Sequence, residues 1–145
     1  ARAYTGFDYS ETAIAYARKR VGKFSAARVF VGDALDPASY AKGSELLVAH
    51  QFAQCLIGED RMRWLHFARE AIAPGGAFVM STMVGVPPGL AQVVDPISRV
   101  NRFRNRFFAS RDEVRKELEA AGFRIERECA PDKHMMIFLA RPEHA

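Results

Sequence analysis

The chain has 145 residues, 49% of them apolar and 26% charged, with a formal net charge of +4; this is the ordinary range for one globular domain spanning 1–145. No run of about eighteen uninterrupted apolar residues occurs, because even Phe78 to Val86 is broken by Ser81, Thr82 and Gly85, so a transmembrane span and a membrane partner are excluded. Two cysteines, Cys55 and Cys129, are too few for a disulfide framework or a zinc site and are expected to be buried, reduced thiols of a cytoplasmic protein.

The sequence opens Ala1-Arg2-Ala3-Tyr4, with neither an initiator Met nor a signal-peptide pattern, and reads as a cut end. Ala3 to Phe7 predict a strand, and Asp8-Tyr9-Ser10 a turn whose Ser10 can cap a following helix. Ala13, Ile14, Ala17 and Val21 would be that helix's apolar stripe, with Arg18, Lys19 and Arg20 favourably placed at its C-terminal end. Arg28 to Val31 predict a second strand that stops at Gly32-Asp33-Ala34.

Glu45 to His50, with its apolar run Leu46 to Ala49, has the character of a strand covered on both faces inside a parallel sheet, and it ends at His50-Gln51. Trp64, Leu65, Ala68 and Ile72 recur at helical spacing between Asp60 and Ile72, after which Pro74-Gly75-Gly76 should stop the helix and reverse the chain into a strand over Ala77 to Thr82. Residues 84–108, rich in proline, glycine and arginine, are longer than a normal connection and form a candidate lid or substrate insertion. Ser110 and Glu113 predict a capping box, Val114, Leu118 and Ala121 a buried stripe, and Gly122 a left-handed stop. Phe123 to Cys129 and His134 to Arg141 then read as two strands joined tightly enough at Pro131-Asp132 to pair antiparallel.

Strands alternating with helices predict a three-layer, Rossmann-like open α/β sheet, mostly parallel with a C-terminal antiparallel strand. Ligands in such sheets collect beyond the C-terminal strand ends, where Asp8, Asp33 and His50-Gln51 all fall. Asp8 can accept hydrogen bonds from the vicinal hydroxyls of a ribose, or can simply satisfy helix amides beside Ser10. Asp33 can accept from an exocyclic amine while the Ala34 amide donates to the same ring, or can simply form the turn. His50 and Gln51 could orient an acceptor, or His50 could take its proton, since imidazole titrates near neutral pH. Arg102 and Arg106 could meet an acidic substrate. His66 and His134 have no ligand-type neighbours in sequence, and no RNA-binding signature or zinc-finger spacing accompanies the arginines, so a nucleic-acid partner is not expected.

In order along the chain, Tyr4-Thr5-Gly6-Phe7-Asp8-Tyr9-Ser10, Val31-Gly32-Asp33-Ala34, Glu45 to Phe52, Ala73-Pro74-Gly75-Gly76-Ala77-Phe78-Val79 and Glu119-Ala120-Ala121-Gly122-Phe123 resemble the class I S-adenosylmethionine-dependent methyltransferases, from that family's second strand to its seventh. The resemblance implies S-adenosyl-L-methionine as cofactor, a small-molecule methyl acceptor, cofactor-binding roles for Asp8, Tyr9, Asp33, Ala34 and Gln51, and His50 as the first candidate for a catalytic group. It also implies a departure. The family's first strand, its Gly-x-Gly-x-Gly turn and the next helix would precede Tyr4, so this stretch would lack the usual first strand and hold the adenosine half of the cofactor site only. The sheet edges left open could pair with a second copy, as a homodimer. Two other readings stay open: a non-catalytic binding module of the same fold, and a nicotinamide-dependent oxidoreductase, which shares the strand-end carboxylate.

Overall fold

The computed structural model describes residues 3–86 and 107–143, and the chain packs as two compact units, 1–41 and 42–145. In the first unit, β1 (Tyr4–Asp8) leads through Ser10 into α1 (Glu11–Val21), and β2 (Ala27–Val31) follows. β1 and β2 pair in parallel with Asp8 opposite Val31. Ser10 caps α1 as expected, its Oγ accepting the Ala13 N–H at 3.2 Å. The apolar stripe is narrower than its spacing suggested: Ile14 is buried, Ala17 and Val21 are half-buried, and Ala13 is exposed. The Phe7 ring lies against those of Phe30 and Tyr40, with centroids 5.9 and 5.1 Å apart.

The second unit holds β3 (Ser44–His50), α2 (Gly58–Ala71), β4 (Ile72–Met83), α3 (Arg111–Ala120), β5 (Phe123–Cys129) and β6 (Met135–Pro142). Its sheet has the order β3-β4-β6-β5. β3 pairs with β4 in parallel, and β6 inserts between β4 and β5 antiparallel to both. Among the described strands β6 therefore runs against its neighbours, which is the mostly parallel α/β sheet with a reversed C-terminal strand that the sequence predicts. The core holds a run of rings, Trp64 to Phe78 at 5.9 Å and Phe78 to Phe123 at 5.1 Å, and buries Leu65, Val114, Leu118 and Phe138 as well.

Two expectations need correction. Helix α2 ends at Ala71, and Pro74-Gly75-Gly76 lies within β4 instead of reversing the chain before it. The register passes from Ser44 opposite Ile72 to Leu46 opposite Ala77, so the three residues form a bulge. β-branched Ile72 takes up strand pairing, the residue before a proline avoids helical dihedrals, and Gly75 turns the bulge at φ 77°. Strand β3, expected to be covered on both faces, is an end strand among the described strands of its sheet, with Leu46 and Val48 56% and 62% exposed. Leu46, Val48 and His50 share the open face by the alternation of a strand. The cysteines also differ from expectation: neither is in a disulfide, but Cys129 is exposed and Cys55 half-buried.

Helix α3 begins as its sequence predicts, with Ser110 Oγ accepting the Glu113 N–H at 3.2 Å. Glu113 reaches back one residue further than a capping box requires, accepting the Ala109 N–H at 2.6 Å. Gly122 stops the helix at φ 81°. From the next turn to β6, Asp132 Oδ1 accepts the His134 and Met135 N–H groups, each at 2.8 Å. Those two donors hold its carboxyl below the usual carboxylate range. Because the folded value is depressed, the stabilisation of this turn is complete above the ordinary pKa of about 3.9 and is lost as pH falls through the folded value. In an NMR titration the His134 and Met135 amide shifts should move with a midpoint below that ordinary value; a midpoint at or above it would remove the amide contacts as the cause.

Helices α2 and α3 are tied by a charged group almost removed from water. Arg61 is 3% exposed; its Nε donates to Glu117 Oε2 at 2.6 Å and its Nη2 to Oε1, a bidentate pair. Its Nη1 donates to the Leu56 carbonyl at 3.3 Å, and its guanidinium lies 4.0 Å from the centroid of the Phe108 ring. Removing Glu117 would strand a buried cation. Glu117→Ala should therefore lose about 3 kcal/mol of unfolding free energy in urea, the lower end of the range for breaking a buried pair because the carboxylate retains some solvent. A loss below about 1 kcal/mol would mean that the pair is worth no more than a surface ion pair.

Candidate functional site

Parallel strands end side by side, so β1 and β2 bring Asp8 and Asp33 to one rim. Asp8 closes β1 opposite Val31, its carbonyl accepting the Gly32 N–H at 3.0 Å, and Asp33 follows two residues past β2. In each carboxylate one oxygen is used locally: Asp8 Oδ1 accepts the Ser10 N–H at 2.7 Å, and Asp33 Oδ1 the Leu35 N–H at 2.8 Å. The local role weighed for Asp8 is thus present, through the amide that leads into α1. The other oxygen of each has no hydrogen-bond partner among the described residues and both side chains are exposed, so each can accept from a ligand as well.

The turn after β2 is braced from outside its own sequence. Ser39 Oγ, on the short 3-10 turn Pro37–Ser39, accepts the Asp33 N–H at 3.1 Å, and the Tyr40 hydroxyl donates to the Ala34 carbonyl at 2.8 Å. These bonds leave the Ala34 N–H without a partner among the described residues. Gly32 makes the bracing possible, because a Cβ there would stand 2.9 Å from Ser39 Oγ and 3.1 Å from Phe7 Cβ. Tyr9 is 69% exposed beside Asp8.

In the second unit, β3 ends at His50, opposite Ser81, two residues before β4 ends at Met83. His50 Nδ1 lies 2.6 Å from Ser81 Oγ, and the Gln51 N–H donates to both the carbonyl and the hydroxyl of Ser81, at 3.0 and 3.2 Å. Gln51 has a positive φ of 53°, unusual for a side-chain-bearing residue and typical of functional turns. Gln54 holds it there: Nε2 donates to the Gln51 carbonyl at 2.9 Å and to Gln51 Oε1 at 2.8 Å, while Gln54 Oε1 accepts from the Thr82 hydroxyl at 2.9 Å. Gln51 Nε2 is buried and has no hydrogen-bond partner among the described residues.

Ser39, Gln54, Ser81 and Thr82 were not singled out by the sequence. The available signal was Ser81-Thr82, two polar residues closing the apolar run Phe78-Val79-Met80; both prove buried. Arg102 and Arg106, and most of the candidate lid 84–108, lie outside the described residues. At its flanks Val84 bridges Phe108, and the Gly85 N–H donates to the Phe108 carbonyl at 2.9 Å. His66 is exposed on α2, and His134 Nδ1 lies 3.3 Å from the Val84 carbonyl.

The fold is that of the class I methyltransferases. No family model and no curated protein sequence matches the chain. Among solved structures it is similar to the PH0226 protein of Pyrococcus horikoshii, with a TM-score of 0.75 and 16% identity over 97% of this chain and 72% of that one. It is also similar to NcsB1, an O-methyltransferase of neocarzinostatin biosynthesis in complex with S-adenosyl-L-homocysteine and 1,4-dihydroxy-2-naphthoic acid (TM-score 0.75, 19% identity, 97% of this chain and 42% of that one). The [4+2]-cyclase SpnF gives a TM-score of 0.74 at 14% identity, over 98% of this chain and 67% of that one. The chain thus spans from under half to nearly three quarters of the length of these proteins. Among the described residues, no helix is long and apolar enough to cross a membrane.

The bracing of the Asp33 turn yields a direct test. Gly32→Ala should force Ser39 Oγ off the Asp33 amide, and amide hydrogen exchange at Asp33 should accelerate on the order of tenfold, the equivalent of about 1.4 kcal/mol for one lost hydrogen bond. Unchanged exchange at Asp33 would show that Ser39 does not hold the turn.

Proposed function

We propose that this chain forms the cofactor-proximal part of an enzyme that transfers a methyl group from S-adenosyl-L-methionine to a small-molecule acceptor. The observation that carries the reading is the placing of Asp8 and Asp33 at the ends of neighbouring parallel strands, each with one carboxylate oxygen that has no partner among the described residues. A ribose offers two vicinal hydroxyls and an adenine an exocyclic amine, so acceptors at these two positions, with the free Ala34 N–H between them in kind, fit an adenosine. Tyr9, exposed beside Asp8, supplies a ring for the same ligand. The fold shared with NcsB1, a methyltransferase bound to the demethylated cofactor and an aromatic hydroxy acid, supports the same assignment. The fold alone does not decide it, since SpnF is a cyclase.

When bound, the cofactor supplies a methyl group made electrophilic by its positive sulfur. The residues then have to hold an acceptor in line and exclude competing geometries, and positioning of this kind can provide a large part of the rate. His50 and Gln51, at the ends of β3 and of the turn beyond it, are the polar groups proposed to meet the acceptor. Arg102 and Arg106 are proposed to pair with an acidic group where the acceptor carries one. Self-pairing of this protein as a homodimer through β3, whose Leu46 and Val48 are exposed, belongs to the same proposal.

A non-catalytic binding module and a nicotinamide-dependent oxidoreductase are separated from this reading by cofactor preference. In calorimetry of the full-length protein, S-adenosylhomocysteine should bind in the micromolar range and NADH should give no heat. Asp8→Ala should weaken S-adenosylhomocysteine binding by about 1–3 kcal/mol, the cost of leaving polar partners unpaired, and Asp33→Ala by less. No heat with S-adenosylhomocysteine, or equal affinity in the wild type and Asp8→Ala, would end the assignment of this rim to the cofactor.

A further inference from the structure

His50 and Ser81 face each other across the parallel ladder of β3 and β4, and their contact decides which ring nitrogen of His50 carries the proton. Ser81 is buried, and its hydroxyl has one hydrogen to place. One of its neighbours, the Gln51 N–H, can only donate to it. The other is His50 Nδ1 at 2.6 Å, and no further partner of Ser81 Oγ exists among the described residues. Were Nδ1 protonated in the neutral ring, Ser81 Oγ would accept two hydrogen bonds and its own O–H would be buried with nowhere to donate. With Nδ1 unprotonated, Ser81 donates to His50 and accepts from Gln51, and every group that meets at Ser81 Oγ is satisfied.

The geometry points to Ser81 as a positioning residue that holds neutral His50 with its proton on Nε2, so that this strand end offers hydrogen-bond donors, not a base, to an acceptor that presents an oxygen lone pair. Nε2 is the outer nitrogen of an exposed ring on the open face of β3 and has no partner among the described residues. The next residue carries a second donor, Gln51 Nε2, which is buried and has no hydrogen-bond partner among the described residues, on a backbone held at positive φ. A carboxylate, carbonyl or phenolate oxygen can accept from such groups. An ammonium group cannot, since it has donors only. This ligand class rests on the methyltransferase reading above, whereas the tautomer does not.

The experiment is nitrogen-15 NMR of the histidine rings in the full-length protein, at a pH where the rings are neutral and without cofactor. Wild-type His50 should show a protonated Nε2 and an unprotonated, hydrogen-bonded Nδ1. Ser81→Ala should lose the hydrogen-bonded signature of Nδ1 and shift towards a mixture of tautomers, and Ser81→Thr, which restores a hydroxyl, should recover the wild-type pattern. A proton on Nδ1 in the wild type, or identical spectra in wild type and Ser81→Ala, would overturn the role of Ser81. Benzoate added as a probe should shift the His50 Nε2 and Gln51 side-chain signals, and benzylamine in its charged form should not. A response to the amine, or to neither probe, would overturn the ligand class. Absence of S-adenosylhomocysteine binding with the tautomer intact would instead remove the methyltransferase reading and leave the Ser81–His50 device standing.

Discussion

Where a parallel strand ends, its backbone loses ladder partners, and each amide left over has to be satisfied by something else. That requirement organises both polar clusters of this protein. Asp8 accepts from Ser10, Asp33 from Leu35, Ser39 from Asp33 and Ser81 from Gln51. A carboxylate has more than one acceptor oxygen, and a hydroxyl accepts and donates at once, so each of these groups can satisfy an amide and still act elsewhere. Asp8 and Asp33 keep one oxygen apiece, and Ser81 keeps its proton for His50. The competing roles weighed for the aspartates, turn former and ligand acceptor, are therefore compatible in one side chain.

Similarity of fold extends further than similarity of chemistry. The chain superposes on an O-methyltransferase and on a cyclase with nearly equal TM-scores, at identities below one in five. The proposal of methyl transfer rests on the chemical content of the strand ends: carboxylate acceptors at Asp8 and Asp33, proposed to meet an adenosine's donors, and donors at His50 and Gln51, proposed to meet an acceptor's oxygen. The shared scaffold explains why these groups stand at strand ends, and their identities carry the proposal.

Most of the architecture was legible in the sequence because local rules determine it. Ser10 and Ser110 announce helix starts through side chains that reach only three residues along, and Gly122 announces a stop through a φ that other residues resist. Asp8 and Asp33 could be located for a similar reason, since each follows directly from its own strand. What stayed hidden depends on register between distant segments. His50 meets Ser81 across 31 residues, Ser39 folds back on Asp33, and the bulge at Pro74-Gly75-Gly76 exists because Ile72 finds a partner in Ser44. The exposure of Leu46 and Val48 was unreadable for a related cause: a continuous apolar strand has the same pattern whether it lies at the middle of a sheet or at its end.

The position of His50 shows why its partner matters more than its strand. Among the described residues β3 has a ladder on one side only, so its backbone is the less constrained member of the pair, whereas β4 is paired on both sides, to β3 and to β6. Ser81 therefore belongs to the more rigid strand. A hydrogen bond from such a residue fixes both the rotation of the imidazole and its tautomer, two degrees of freedom that the end strand cannot fix by itself. The same hydroxyl receives the amide of Gln51, so the turn that carries the second donor takes its position from the same atom. Precision at this strand end is thus borrowed from the interior of the sheet, through one buried serine.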